Sequence, residues 1–143
     1  MNKNIVDIDL YGYPPPRWAD DRIKGIHRGE YITKQKKSLV FGEALACINS
    51  TSMTEGQSLN CRAFEIAGAG GLQILEDRDS VSDCFEPGKE ILTYSSLEEL
   101  VDLVGKYQMD KSDALKIRIA GSSRAHKEHT YEIRLSQILN HLK

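Results

Sequence analysis

Residues 58–71 read SLNCRAFEIAGAGG: a polar start, a helix-forming middle that holds one inward-capable acid, Glu65, and a close in small residues before the apolar run 72–75. Ser58 can cap a helix here, since a serine hydroxyl accepts from a first-turn N–H that has no acceptor within the helix. Gly68, Gly70 and Gly71 end that helix and let helix and strand approach closely. Loop, acid-bearing helix, glycine-rich exit and buried strand, in that order, are how an α/β domain turns a helix N-terminus toward an anionic ligand.

Working outward, 44–50 reads as a buried strand and 51–57 as a polar loop, which makes the centre a strand–helix–strand unit. Upstream, 5–10 alternates β-branched residues with Asp before Tyr11, Gly12, Tyr13 and three prolines, and predicts a first strand ending in a stiff loop. A short second strand is expected at 22–27 and a helix at 34–43, whose basic start opposes the helix dipole. Downstream come a short helix at 77–85, a turn at 86–88 and a fifth strand at 90–94. Ser96 and Glu99 form a capping box, after which Leu97, Leu100, Val101, Val104 and Tyr107 recur at helical spacing. A further helix is expected at 110–126. Thr130 caps a last one, with Tyr131, Leu135, Ile138 and Leu142 along an apolar edge. The alternation predicts an α/β fold: a three-layer αβα Rossmann-like sandwich with a mostly parallel sheet of about five strands, in a single domain over 1–143. Ligands of such sheets sit beyond the carboxyl ends of the strands, which points to Gly12, 27–31, 49–57, Glu76, Asp77 and Ser95.

With 143 residues the chain can bury roughly 68–70% of its unfolded surface, enough for a core without disulfides. A net charge of -2 from 19 basic and 21 acidic side chains leaves no basic surplus for duplex binding, so nucleic acid is not an expected partner. Three widely spaced cysteines, Cys47, Cys61 and Cys84, among apolar neighbours read as buried free thiols of a reducing compartment. Asp7 and Asp9 interrupt the only N-terminal apolar run, and no stretch reaches the ~18 apolar residues of a membrane span. A cytoplasmic protein is the expectation.

Several blocks resemble a known family. R-x-F-E-I-A-x-x-G-G from Arg62, F-E-P-G-K-E-I-L-x-Y from Phe85, S-x-E-E-L from Ser96, I-A-G from Ile119 and E-H-T-Y-x-x-R from Glu128 occur in the order of the C-terminal half of group 1 glycosyltransferases. Within that group the chain is similar to the spore-maturation-protein-like subfamily. The resemblance implies the donor-binding half of a two-domain GT-B enzyme, holding a UDP- or GDP-sugar opposite an acceptor-binding N-terminal domain that this chain lacks. The whole protein would be a transferase of hexosyl type, and the fragment alone inactive.

The resemblance also implies roles. Members carry two acids eight positions apart; the second falls on Glu65, suited to accepting two ribose hydroxyl bonds. The first falls on Gln57, a departure that leaves the contact to the transferred sugar open, although Glu55 could substitute. Gly56, Ser58, Leu59 and Asn60 would offer backbone N–H groups to the diphosphate at a helix start. Arg62, one turn on, either reaches the phosphates or pairs with a nearby acid. The loop containing Gly25 and His27 corresponds to the nucleobase site, with His27 or Tyr31 able to stack.

Plainer readings stand beside these. Glu65 could be a solvated helix residue, and Gly68, Gly70 and Gly71 purely structural. His126 and His129 have metal-like spacing but no accompanying Cys or carboxylate cluster, and read as a solvated helix end. Asn49-Ser50-Thr51 ends a strand at the crevice rim in preference to serving as a glycosylation site, and Trp18 could be an exposed docking residue. No catalytic residue, cofactor or metal is assigned; helix dipole and basic groups can neutralise a departing diphosphate. The competing function is a Rossmann-like binding or interaction module without catalysis. A phosphate-sensing fold of flavodoxin type is disfavoured, because no acid cluster ends the first strand.

Overall fold

The computed structural model describes residues 7–29, 31–51, 54 and 56–142. The chain divides into two compact units, Met1–Lys37 and Ser38–Lys143.

In the first unit, α1 (Asp21–Ile26) begins at Asp20, whose side chain accepts from the Arg22 backbone N–H at 2.8 Å. An i,i+3 pair between Asp21 and Lys24, 2.9 Å, supports it. A helix therefore replaces the strand expected at 22–27. The signal was local: an acid before the first turn completes its orphan donors and favours its dipole. Of the strand expected at 5–10, Ile5 and Val6 lie outside the described residues, 7–9 are irregular, and Leu10 makes an isolated parallel bridge with His27.

Helix α2 (Lys34–Glu43) has the expected bounds. The sheet of the second unit has three parallel strands, β1 (Cys47–Asn49), β2 (Gln73–Glu76) and β3 (Leu92–Tyr94), in the order β1-β2-β3. Cys47 lies opposite Gln73, and Ile74 opposite Leu92. Helices α3 (Cys61–Gly68) and α4 (Asp79–Cys84) make the two crossovers, followed by α5 (Leu97–Met109), α6 (Lys111–Glu128) and α7 (Tyr131–His141). The αβα layering is as expected, with three strands in place of five. Strand β1 is also less buried than its apolar composition suggests, since Ile48 stays 48% exposed.

Alternate side chains of β2 feed two cores, as a parallel sheet covered on both faces requires. Leu75 packs with Ala67, Val81, Phe85, Ile91 and Ala125 on the side of α3 and α4. Ile74 packs with Leu72, Leu92, Tyr107, Ala114 and Ile117 on the side of α5. Leu100, Leu103 and Val104 join the second core, whereas Leu97 and Val101, expected in the same stripe, are exposed. Each lies roughly 70–110° around the helix from the packed row, beyond the reach of the sheet. Tyr131, Leu135, Ile138 and Leu142 are exposed, and α7 buries no residue.

Helix α6 supplies residues to both cores, Ala114 and Ile117 to one and Ala125 to the other, because it crosses the amino-terminal ends of the strands. The crossing point is Gly121: a Cβ there would stand 2.3 Å from the Glu90 carbonyl oxygen, so only glycine fits. Arg118, one turn earlier, donates to the carbonyls of Gly70 (2.8 Å), Ala44 (3.1 Å) and Gly42, which precede β2 and β1. The amino-terminal end of the sheet is thus closed by one helix. Its carboxyl end carries polar groups.

Candidate functional site

Asn49 ends β1 and is fully buried. Its amide pairs reciprocally with that of Asn60: Asn49 Nδ2 donates to Asn60 Oδ1 at 3.0 Å and Asn60 Nδ2 donates to Asn49 Oδ1 at 3.2 Å. Asn60 Oδ1 also accepts from the Ala63 backbone N–H at 3.1 Å, which makes Asn60 the N-cap of α3. The cap expected at Ser58 is therefore corrected. Both residue types cap well, and Asn60 takes the position because the buried Asn49 amide holds it. The α3 amides available to an anion are accordingly those of Cys61 and Arg62, not those of Ser58, Leu59 and Asn60. Ser58 is exposed and Leu59 half-buried against the α3/α4 core.

Arg62 is exposed, with Nη1 3.4 Å from Asn49 Oδ1, so it engages the amide pair and, among the described residues, no carboxylate there. Glu65 lies on the exposed face of α3, opposite buried Ala63, Ile66 and Ala67. Inward-capable by its apolar neighbours, Glu65 is turned outward by the helical phase, away from the three core contacts, as the plainer reading of a solvated helix residue has it.

Gly56 and Gln57 are exposed, and their backbone carbonyls are held from the end of β2. Arg78 Nη1 donates to the Gly56 carbonyl, and Ser80 Oγ donates to that of Gln57. Arg78 also bonds Glu76 Oε2 at 3.3 Å, and Thr51 Oγ1 donates to the same oxygen at 3.5 Å. Arg78 and Ser80 were not anticipated. The signal was present in an Arg flanked by acids directly after a predicted strand, 76–79. Glu55, the proposed substitute acid, lies outside the described residues.

Gly25 and His27 belong to the first unit. Gly25 lies within α1, not in a loop after a strand. The His27 ring is half-buried; Nδ1 accepts from the Gly29 backbone N–H at 3.1 Å, so Nε2 carries the proton and donates to the Gly12 carbonyl at 3.1 Å. Backbone groups occupy both ring nitrogens. Tyr31 packs against Tyr13 with ring centroids 5.4 Å apart. Trp18 is 87% exposed.

The other expected features sort as structural. His126 donates to the Gly68 carbonyl at 2.9 Å, and His129 to that of Cys84 at 2.8 Å while Nδ1 accepts from Arg134 at 2.7 Å. His129 also packs against Phe64 and Phe85, at 5.1 and 5.3 Å. His126 is exposed in the last turn of α6, as the solvated-end reading has it, while half-buried His129 departs from it; together they tie α6 to α3 and α4. Cys61 is exposed, unlike the buried thiol expected of it, while Cys47 and Cys84 are half-buried. Burial pushes the Cys47 thiol up to about 11 against an opposing pull from Arg118. Among the described residues no group of three or more His, Cys, Asp or Glu could hold a metal, and no helix is long and apolar enough to cross a membrane. A surface hollow of about 320 Å³ on α5, lined by Leu97, Glu98, Val101 and Asp102, contains none of the expected site residues; its two carboxylates would repel a diphosphate.

The carboxyl end of the sheet thus combines a capped helix start, an adjacent guanidinium and a tethered polar segment, an arrangement fit to receive an anionic group. No curated protein and no solved structure matches the chain. A family model described as glycosyl transferase-like matches residues 1–140, and the chain belongs to that family.

Proposed function

We propose that this chain is the donor-binding domain of a glycosyltransferase of the group 1, GT-B type and that it takes a UDP- or GDP-sugar at the carboxyl end of β1 and β2. The family supplies the transferase character. The observation that carries the donor site is the start of α3, capped by Asn60 and fixed to the end of β1 by Asn49, with the Arg62 guanidinium beside it. There the diphosphate meets the amides of Cys61 and Arg62 and the positive end of the helix dipole, worth about half a charge. Glu65, one turn on and open to solvent, accepts the ribose hydroxyls of a nucleotide lying along the outer face of α3. Gln57 faces the transferred sugar with an amide at the position where the family resemblance implies an acid. An acceptor-binding domain completes the enzyme.

Calorimetric titration with UDP, GDP and their sugars tests the reading. Saturable binding is expected, weakened roughly tenfold by Arg62→Ala through loss of a charge-assisted bond, and by a similar factor by Glu65→Ala. Wild-type protein that binds none of these nucleotides contradicts it. One observation favours a binding module without catalysis, namely the missing acid at Gln57; donor hydrolysis or transfer by the full-length protein decides between the two.

A further inference from the structure

The donor site as drawn leaves one buried cation without a role. Arg78 follows β2, and its side chain is only 12% exposed. A guanidinium is costly to bury unless its donors are met. Here Nη1 meets the Gly56 carbonyl and Nη2 meets Glu76, while Nε is buried with no partner among the described residues. Ser80, two residues on, holds the neighbouring carbonyl of Gln57. The charge is therefore not placed for its own stability. Its planar fork joins the end of β2 to the backbone just before α3, a geometry that a lysine point charge does not reproduce.

We infer that Arg78 is a positioning residue for the nucleotide-sugar donor, with Ser80 as its second fastener. By fixing Gly56 and Gln57 through their carbonyls, the clamp sets where the chain enters α3. It thereby sets where the Cys61 and Arg62 amides point. It makes no use of the Gln57 side chain, which stays available to the sugar. Glu76, bonded to both Arg78 and Thr51, ties the exit of β1 to the same clamp. The inference rests on the donor site proposed above.

Two readouts on the full chain test it: amide hydrogen exchange at Gly56–Asn60, and titration with UDP and GDP. Arg78→Ala is expected to speed exchange at Gly56–Asn60 roughly tenfold while leaving β2 and α6 unchanged, and to weaken nucleotide binding by a similar factor. Arg78→Lys keeps the charge and loses the fork, and is expected to recover less than half of either effect. Should Arg78→Ala not fold, Ser80→Ala carries the test, with both readouts moving about threefold. Unchanged exchange in these variants overturns the clamp. Faster exchange with unchanged affinity overturns its role toward the donor and leaves it a loop fastener. If the wild type binds neither nucleotide, the donor reading fails and the positioning role with it, and exchange alone still decides whether the clamp exists.

Discussion

The two ends of the same short sheet are built by opposite means. At the amino-terminal end α6 lies directly across the strands, its Gly121 against a backbone carbonyl and Arg118 spread over three others, which leaves no room for a ligand. At the carboxyl end Asn49, Asn60, Arg62, Glu76 and Arg78 form a polar lattice whose outer members are exposed. A glycine or an arginine therefore does not mark a site by its type. Arg118 is used up by backbone acceptors on the closed side, while Arg62 on the open side makes one contact among the described residues, to Asn49.

The largest test of the contrast falls on the closed end. Gly121→Val drives a side chain into the Glu90 carbonyl and is expected to cost about 3 kcal/mol or more, lowering the melting temperature by some 10 °C in calorimetry. A variant with unchanged melting would break the claim that α6 seals that end. Arg118→Met strips a donor from three carbonyls and is expected to cost about 2–3 kcal/mol in denaturant melts, with nucleotide affinity unchanged.

The open end should respond differently. Asn49→Ala removes the reciprocal amide pair, leaves Asn60 only the Ser50 carbonyl at 3.4 Å and the Ala63 N–H, and loosens the cap, which costs about 1–2 kcal/mol and also weakens nucleotide binding, read from paired melts and titrations. Loss of stability with affinity intact would make the amide pair purely structural.

The smallest effect concerns Cys47 at the start of β1. Burial raises its thiol from 9.0 to about 11, so the folded chain holds that proton to higher pH than the unfolded chain does. The stabilising contribution is complete below pH 9.0 and is lost as pH climbs toward about 11. Wild type should therefore lose more melting temperature over that range than Cys47→Ala, and alkylation at pH 8 should label exposed Cys61 well before Cys47.

Most of the second unit was legible because its signals are local. The Ser96 cap and Thr130 cap stand where expected, with Glu99 N–H to Ser96 Oγ at 3.1 Å and Ile133 N–H to Thr130 Oγ1 at 3.3 Å. Glu99 reaches back to the Ser95 N–H at 2.7 Å, one residue before the cap itself. What the sequence concealed was set by distant partners. Asn60 outcompetes Ser58 through a residue 11 positions away, and Arg78 reaches back 22 positions to Gly56. The reading of 22–27 as a strand failed on a nearer signal, Asp20, whose capping outweighed the two isoleucines. Glu65 was placed on the correct helix, but the register of that helix against the sheet turned it outward.

In the proposed site the carboxyl end, and not the sealed end, receives a nucleoside diphosphate. Mapping backbone amide shifts by NMR during titration with UDP or GDP tests it most directly. Saturable shifts are expected at Cys61 and Arg62, with Gly121 and Ala125 silent. Saturating nucleotide that leaves Cys61 and Arg62 unmoved, or that shifts α6 at Gly121 in their place, would contradict it.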